Sequence, residues 1–319
     1  MKKDCKKFPL IVLTGPTAVG KTALSIKYAK AIGGEIISAD SMQVYRHMDI
    51  GSAKITKEEM DGVAHHLIDV LDPEEDFNVV LFQKMAKEAI ADICSRGKIP
   101  ILTGGTGFYI QSVLYDIDFT QTREDSSIRE NLEKIAQQQG AERLHDMLKE
   151  VDEEAAAQIH ANNVKRVIRA LEYHAQTGLK ISEHNDKERE KQSAYNSRYF
   201  VLTDERSKMY ERIDRRVDQM LEAGLVEEVK YLKDRGLKKG MVSMQGLGYK
   251  EILAYLDGEY DLERAVYLIK RDTRHFAKRQ LTWFKREKNV IWVDRQNFLD
   301  ENSILRFLIE QTEALTDVQ

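Results

Sequence analysis

Apolar residues in the first third of the chain come in short runs separated by helical spacing. Runs lie at 10–13, 35–38, 67–70 and 99–103, with helical patterns starting at Lys21 and spanning 79–95. Short apolar runs alternating with helices predict a parallel α/β sheet, with loops at the carboxyl ends of the strands forming the site. From about 122 to 198 the chain becomes highly charged, with apolar residues three and four apart, as at Val164, Val167, Ile168 and Leu171. That pattern predicts an inserted all-helical domain. Residues 199–202 read as another strand, long amphipathic helices follow, and 290–293 read as a late strand returning to the sheet. The core is therefore expected to be discontinuous: 1–121 and 199–319 form the α/β unit with C-terminal helices, and 122–198 form the insertion. All four prolines (Pro9, Pro16, Pro73, Pro100) lie in the first hundred residues, and no internal repeat or low-complexity tract is present.

Composition sets bounds on this picture. A chain of 319 residues, 42% hydrophobic, can bury a substantial core. No stretch approaches the length of a membrane span, and residues 1–7 are charged rather than the front of a signal peptide, so a cytoplasmic protein with no membrane partner is expected. Cys5 and Cys94 have neither metal-ligand nor disulfide-framework spacing, which excludes a cysteine zinc site and favours a reduced compartment. His65 and His66 are adjacent and would face opposite ways in a strand. The net charge of −4 argues against a uniformly basic coat, yet residues 264–288 carry nine Lys or Arg against two acids.

The sharpest motif is Gly15-Pro16-Thr17-Ala18-Val19-Gly20-Lys21-Thr22, a G-x-x-x-x-G-K-[ST] phosphate loop between an apolar run and a helical pattern. Its glycines let backbone N–H groups point at an anion, Lys21 reaches the phosphates, and the Thr22 hydroxyl suits Mg²⁺. A bare strand-to-helix turn is the competing reading, and the flanking context weighs against it. A phosphoryl-transfer enzyme with this loop should carry a Mg²⁺-holding acid at the end of the 99–103 run, but the chain there reads Thr103-Gly104-Gly105-Thr106-Gly107. The acid is instead Asp40, after the 35–38 run. Such an Asp reads either as a turn acid or as a site acid at the carboxyl end of a strand. In the basic segment, Arg271, Arg274, Lys278 and Lys285 share one helical face that could track phosphates. Val266, Ile269, Phe276 and Trp283 form a separate apolar stripe that includes Thr273 and Gln280, polar residues that need partners.

Asp40-Ser41-Met42-Gln43-Val44-Tyr45, residues 48–54, His65-His66-Leu67-Ile68-Asp69 and 104–109 are segments that resemble those of the tRNA dimethylallyltransferases, also called tRNA isopentenyltransferases. So do 162–172, 212–220, Gly246-Leu247-Gly248-Tyr249 and 273–283, and the resemblance covers about 9–294. It implies a P-loop NTPase-like core whose phosphate loop holds the diphosphate of dimethylallyl diphosphate rather than a nucleotide. The acceptor is N6 of the adenosine 3′ of the anticodon, position 37, in tRNAs reading codons that begin with U. Asp40 matches the family base that accepts the N6 proton. Lys21, Arg216 and Mg²⁺ on Thr22 match the groups that stabilise the departing diphosphate, and Thr106 the threonine near its bridge.

The resemblance also implies contacts to the tRNA anticodon stem-loop. They fall at Asp40, Ser41, Met42 and Gln43; at Arg129, Lys165, Arg166 and Arg169 in the insertion, which would brace the stem; at Gln245, Gly246, Gly248 and Tyr249; and at Thr273, Arg274, Lys278, Arg279 and Gln280, with Thr273 and Gln280 facing the RNA end of a channel. A monomer is expected. Departures are Ile55 and Ala64, where the family commonly has Pro, and His47, where it has Gly; none removes a catalytic group. The zinc finger of many eukaryotic relatives is absent from the 319 residues, favouring a bacterial-type or organellar enzyme. Three rivals remain: a small-molecule or nucleotide kinase, which lacks its acid; an adenylate isopentenyltransferase using AMP or ADP, which leaves the insertion and the basic face without work; and a nucleic-acid-binding ATPase without transfer chemistry, which leaves the Asp40 and Thr106 loops unexplained.

Overall fold

The computed structural model describes residues 7–119 and 126–313. Cys5 and the domain boundary expected at 121/122 lie outside them. The chain divides into two compact units, Met1–Leu114 with Ala194–Gln319, and Tyr115–Ser193. The observed division falls a few residues earlier at each end than the sequence suggests, because the Ala194 N–H already donates to the Leu114 carbonyl at 2.8 Å.

The first unit opens with β1 (Pro9–Thr14), α1 (Lys21–Ile32), β2 (Gly34–Ala39), β3 (His65–His66), α2 (Val79–Ser95), β4 (Ile99–Gly104) and α3 (Gly107–Leu114). The second contributes α4 (Ser126–Val151), α5 (Glu153–Gln158), α6 (Val164–Thr177) and α7 (Ile181–Glu190). The chain then returns through β5 (Asn196–Thr203), α8 (Arg206–Glu222), α9 (Leu225–Asp234), α10 (Tyr249–Leu256), α11 (Leu262–Phe284), β6 (Val290–Asp294) and α12 (Glu301–Glu310).

The six strands lie in the order β3-β2-β4-β1-β5-β6, and every described pairing is parallel. This is the parallel α/β sheet that the strand and helix alternation predicts, in the P-loop-type core that the resemblance implies. β1 sits at the centre because Leu10 to Leu13 are wholly apolar and fully buried, as a strand covered on both faces requires. Ile11, Leu13, Ile36, Ile101, Phe200 and Leu202 share one core cluster with Leu24 and Tyr28 of α1 and Ile304 and Leu308 of α12. The alternate positions Val12, Ile37 and Leu102 are equally buried and face the other way. α2 and α3 pack on β4, and the start of α2 is capped by the Asn78 Oδ1, which accepts from Val80 and Leu81 at 3.0 Å.

One expected strand is displaced. Residues 67–70 are not extended: Leu67 and Asp69 have φ of 63° and 55°, which breaks the pleat, and the strand is the dipeptide just before them, pairing Ile36 and Ile37 with His65 and His66. The two imidazoles do diverge. His66 meets Glu35 at 2.8 Å and His65 the Val63 carbonyl at 2.9 Å.

The second unit is all-helical around Leu144, Leu148, Val167, Ile168 and Leu171. α4 breaks at Gly140, whose φ of 88° is non-helical. Asp152 caps α5 through the Ala155 N–H at 3.0 Å and also accepts from the Ser182 hydroxyl and N–H. Among the described residues no helix is long and apolar enough to cross a membrane.

Candidate active site

The carboxyl ends of β1, β2 and β4 bring together the three loops singled out in the sequence. β1 ends at Thr14, and Gly15 to Gly20 turn the chain into α1. Gly15 has φ of 151°, and a Cβ there would fall 2.5 Å from the Leu202 carbonyl oxygen, so the loop's first position admits no side chain. Gly20, at φ 93°, precedes α1 without a side-chain cap, and the first turn contains no acid. The N–H groups of that first turn thus have no capping side chain and no carboxylate to compete for them, an arrangement suited to phosphate oxygens.

Lys21 Nζ donates to the carbonyls of Gly15 at 2.9 Å and Pro16 at 2.8 Å. An ammonium has three donors, so one remains for a ligand. Burial, reinforced by the Arg216 guanidinium and opposed by Asp40, pulls Lys21 down to about 7. Arg216, half-buried on α8, is likewise lowered by burial, against the attraction of Asp40 and Glu59. The effects run both ways, so Lys21, Arg216 and Asp40 form one electrostatic group around the phosphate loop. No residue of the group is mutually neutralised by a direct ion pair.

Asp40 directly follows β2. Its Oδ1 accepts from the N–H of Met42 at 2.8 Å and Gln43 at 3.3 Å. This is the turn-acid role, and it is compatible with chemistry: fixing one oxygen orients the carboxylate and leaves Oδ2 without a protein partner. Gln43 is tied inward, its Oε1 accepting from Ser38 Oγ and its Nε2 donating to the Ala53 carbonyl at 3.3 Å. At the end of β1 the Thr14 hydroxyl donates to the Gly104 carbonyl of β4 at 2.5 Å, and the Thr106 N–H donates to the Ala39 carbonyl at 3.3 Å, placing Thr106 before α3 and beside the Asp40 turn.

A metal ion at this site would find little from the protein alone. Among the described residues no group of three His, Cys, Asp or Glu side chains could hold one. The Thr22 side chain is exposed in the first turn of α1 with no hydrogen-bond partner seen. One neutral hydroxyl beside an anion loop fits a hard cation such as Mg²⁺, which keeps several waters and takes the rest of its shell from phosphate oxygens.

The residues expected to meet RNA are dispersed, and two have a different position from the one the sequence suggests. Tyr249 is fully buried, its hydroxyl donating to Glu228 at 2.7 Å and accepting from the Ser52 N–H at 3.1 Å, so its ring supports the 48–53 loop instead of presenting itself to a ligand. Gln280 is 6% exposed, with both ends of its amide bonded to Thr17 and Gly105. The cause is the same in both: a buried polar group takes its partners from neighbouring elements. Met42 packs against Gly246 and Ser41 lies half-buried. Gly248 is buried and donates to Glu251, while Gln245 is exposed and bonds the Lys239 carbonyl.

On α11, Lys278 and Arg279 are exposed, Thr273 is half-buried, and Arg274 pairs with Asp214 of α8 at 2.5 Å. Arg271 pairs with its neighbour Asp272. His275, Lys278, Arg279, Thr282, Trp283 and Arg286 line a cationic groove, with Phe108 edge-on to Trp283 at 6.2 Å. Within the helical unit, Lys165 and Arg166 are exposed on α6, while Arg129 and Arg169 both approach Glu172, at 2.7 and 3.8 Å.

Two residues at the site carry no motif that would reveal them. Glu228 of α9 accepts from the N–H groups of Asp49, Ile50 and Gly51 at 2.9, 2.7 and 3.0 Å. Arg295, just after β6, reaches the Val19 carbonyl behind the phosphate loop at 3.4 Å and is held by Glu301 and Asp204.

Comparison with known proteins gives this arrangement its family. A family profile described as IPP transferase matches residues 43–287. A tRNA dimethylallyltransferase of Lachnoclostridium phytofermentans is 61% identical over 302 residues, 95% of this chain and 96% of that one. Among solved structures, the full-length tRNA isopentenylpyrophosphate transferase of Bacillus halodurans is 47% identical with a TM-score of 0.74, covering 98% of this chain and 99% of its own. A eukaryotic dimethylallyltransferase solved acting on tRNA is 29% identical with a TM-score of 0.84, covering 97% of this chain and 80% of its own. With the family profile spanning most of its length and relatives matched nearly end to end, the chain belongs to the IPP transferase family, that of the tRNA dimethylallyltransferases.

Proposed function

We propose that the enzyme transfers the dimethylallyl group of dimethylallyl diphosphate to N6 of the adenosine 3′ of the anticodon, position 37, in tRNAs reading codons that begin with U. The observation that carries this reading is the pairing of a phosphate loop with Asp40, an oriented carboxylate at the end of β2, while the end of β4 offers Thr103 and glycines where a kinase needs its acid. N6 attacks the allylic carbon, a C–N bond forms as the C–O bond to the diphosphate breaks, and the N6 proton passes to Asp40 Oδ2. The diphosphate leaves with its charge stabilised by the loop N–H groups, Lys21 and Arg216, with Thr106 beside its bridging oxygen. Thr22 would hold a Mg²⁺ ion, which when bound would supply Lewis-acid neutralisation of the leaving group.

The acceptor enters from the side of α11, where the groove at Lys278, Arg279 and Arg286 suits phosphates and the Phe108 and Trp283 rings suit a splayed base. Lys165 and Arg166 of the helical unit supply further cations for the anticodon stem. The protein acts as a cytoplasmic monomer. Incubation with labelled dimethylallyl diphosphate and either unmodified tRNA or AMP, followed by nucleoside analysis, tests the reading: label in tRNA at N6-(dimethylallyl)adenosine supports it, whereas label in AMP alone or a requirement for ATP overturns it.

A further inference from the structure

Gln280 stands where the basic helix meets two loops of the donor site. Its Oε1 accepts from the Thr17 N–H inside the phosphate loop at 2.9 Å, and its Nε2 donates to the Gly105 carbonyl at 2.9 Å. The approach is so close that a Cβ on residue 105 would fall 2.1 Å from Nε2, so this position admits only glycine while Gln280 stays in place. A primary amide offers a donor and an acceptor at one terminus, which is what bridging an N–H and a carbonyl requires.

The two residues preceding Gln280, Lys278 and Arg279, point to solvent on the same turn of a 23-residue helix. One turn of α11 thus presents two cations outward and one bridging amide inward. Trp283, a turn further on, rests against Gly107 beside Thr106. The outer face of α11 and the loops at Thr17 and Gly105 are therefore joined by a short rigid element and two hydrogen bonds.

We propose that Gln280 is a positioning residue that couples the RNA-facing side of α11 to the diphosphate-binding loops, so that RNA and diphosphate raise each other's affinity. This rests on the reading of α11 as the RNA-facing helix. RNA seated on Lys278 and Arg279 restrains the helix, and with it Gln280 and both loops, so that ordering those loops around a diphosphate costs less. Linkage requires the effect to be equal in both directions.

The test measures inorganic pyrophosphate binding to the full-length enzyme with and without an anticodon stem-loop RNA, and RNA binding with and without pyrophosphate. The wild type should show the same gain in both directions, about 5- to 50-fold. Gln280→Met, which keeps length but has no amide, should bring that ratio close to one. Gln280→Glu, which keeps an oxygen for Thr17 but has no donor for Gly105, should give an intermediate ratio, and it decides the matter if the methionine variant does not fold. An undiminished ratio in the variants, or weaker RNA binding with the ratio intact, overturns the proposal and makes Gln280 a scaffold or a plain RNA contact. Unchanged RNA affinity in a Lys278→Ala, Arg279→Ala variant across a salt series would instead overturn the underlying assignment of α11.

Discussion

Tyr249 donates a hydrogen bond from its hydroxyl to Glu228, 2.7 Å away, and the same carboxylate gathers the N–H groups of three successive residues, Asp49, Ile50 and Gly51. Two helices beyond the sheet thereby fix the loop whose other anchors, through Gln43, lead back to Asp40. Burial and Glu228 together hold the Tyr249 hydroxyl well above its ordinary range, so it remains a donor at any working pH.

Removing this support should loosen the loop before it touches chemistry. Tyr249→Phe deletes one donor to Glu228 and the acceptor of the Ser52 N–H while leaving Glu228 bonded to the backbone, at a cost of about 1–2 kcal/mol in urea unfolding. Glu228→Ala strands three backbone donors and should cost about 2–4 kcal/mol, with faster amide exchange at residues 49–52. Exchange at those amides indistinguishable from wild type would show that the loop is held by other means.

The second prediction concerns pH. Lys21 lies at about 7 because burial and Arg216 disfavour its charge. A diphosphate beside it favours that charge, so binding should take up a proton above pH 7. Pyrophosphate affinity is then fully developed below about pH 7 and falls as pH rises through it, until the bound-state value is passed. Calorimetry at pH 8 in buffers of different ionisation enthalpy should show uptake approaching one proton, lost in Lys21→Met. Binding without Lys21-dependent proton uptake would mean that the charge of Lys21 does not change when the diphosphate binds.

Stability against acid should depend on Glu35. This buried carboxylate accepts from Arg96, Lys98 and His66, and the Arg96 hydrogen bonds chiefly hold it far below the usual carboxylate range despite burial. Because its folded value is depressed, the stabilisation is complete above the unfolded value near 4.3 and disappears as pH falls further. Glu35→Gln should lower stability at pH 7 by about 1–3 kcal/mol, with the gap to wild type closing towards pH 2. A gap independent of pH would assign the loss to packing.

The α11 face offers a graded test. Changing Arg271, Arg274 and Lys278 to Ala should weaken tRNA binding and flatten its salt dependence. Arg271 and Arg274 are already paired with Asp272 and Asp214, so the slope of log K against log salt should drop by about 1 to 2 rather than by the full three. Pyrophosphate affinity measured without RNA should be unchanged. An unaltered salt slope would return the RNA contacts to Lys165 and Arg166.

The parts of this molecule that were legible in the sequence are those written in local pattern. Continuous apolar runs revealed β1, β2, β4, β5 and β6, and the phosphate loop announced itself through glycine spacing and a following helix. The run at 67–70 misled because left-handed φ at Leu67 and Asp69 overrides its apolar composition. Gln280 was recognisable as a polar residue of the apolar stripe but not by its partners, since the stripe does not disclose which loops will supply them, and nothing in the segment around Tyr249 announced that its ring is buried. Glu228 and Arg295 were invisible, because their roles are set by backbone groups more than a hundred residues away. The unpaired charges on α11 were overcounted because the Asp214 side chain neutralises Arg274 from another helix.

The measurement that bears most directly on the proposed chemistry is single-turnover transfer by Asp40→Asn. The amide oxygen can still accept from Met42 and Gln43, so the turn survives, but the side chain cannot take the N6 proton. Transfer from dimethylallyl diphosphate to tRNA should slow by roughly 10²- to 10⁴-fold while pyrophosphate and tRNA affinities change by less than about threefold. Turnover within a few-fold of wild type, with both affinities intact, would contradict the assignment of Asp40 as the base.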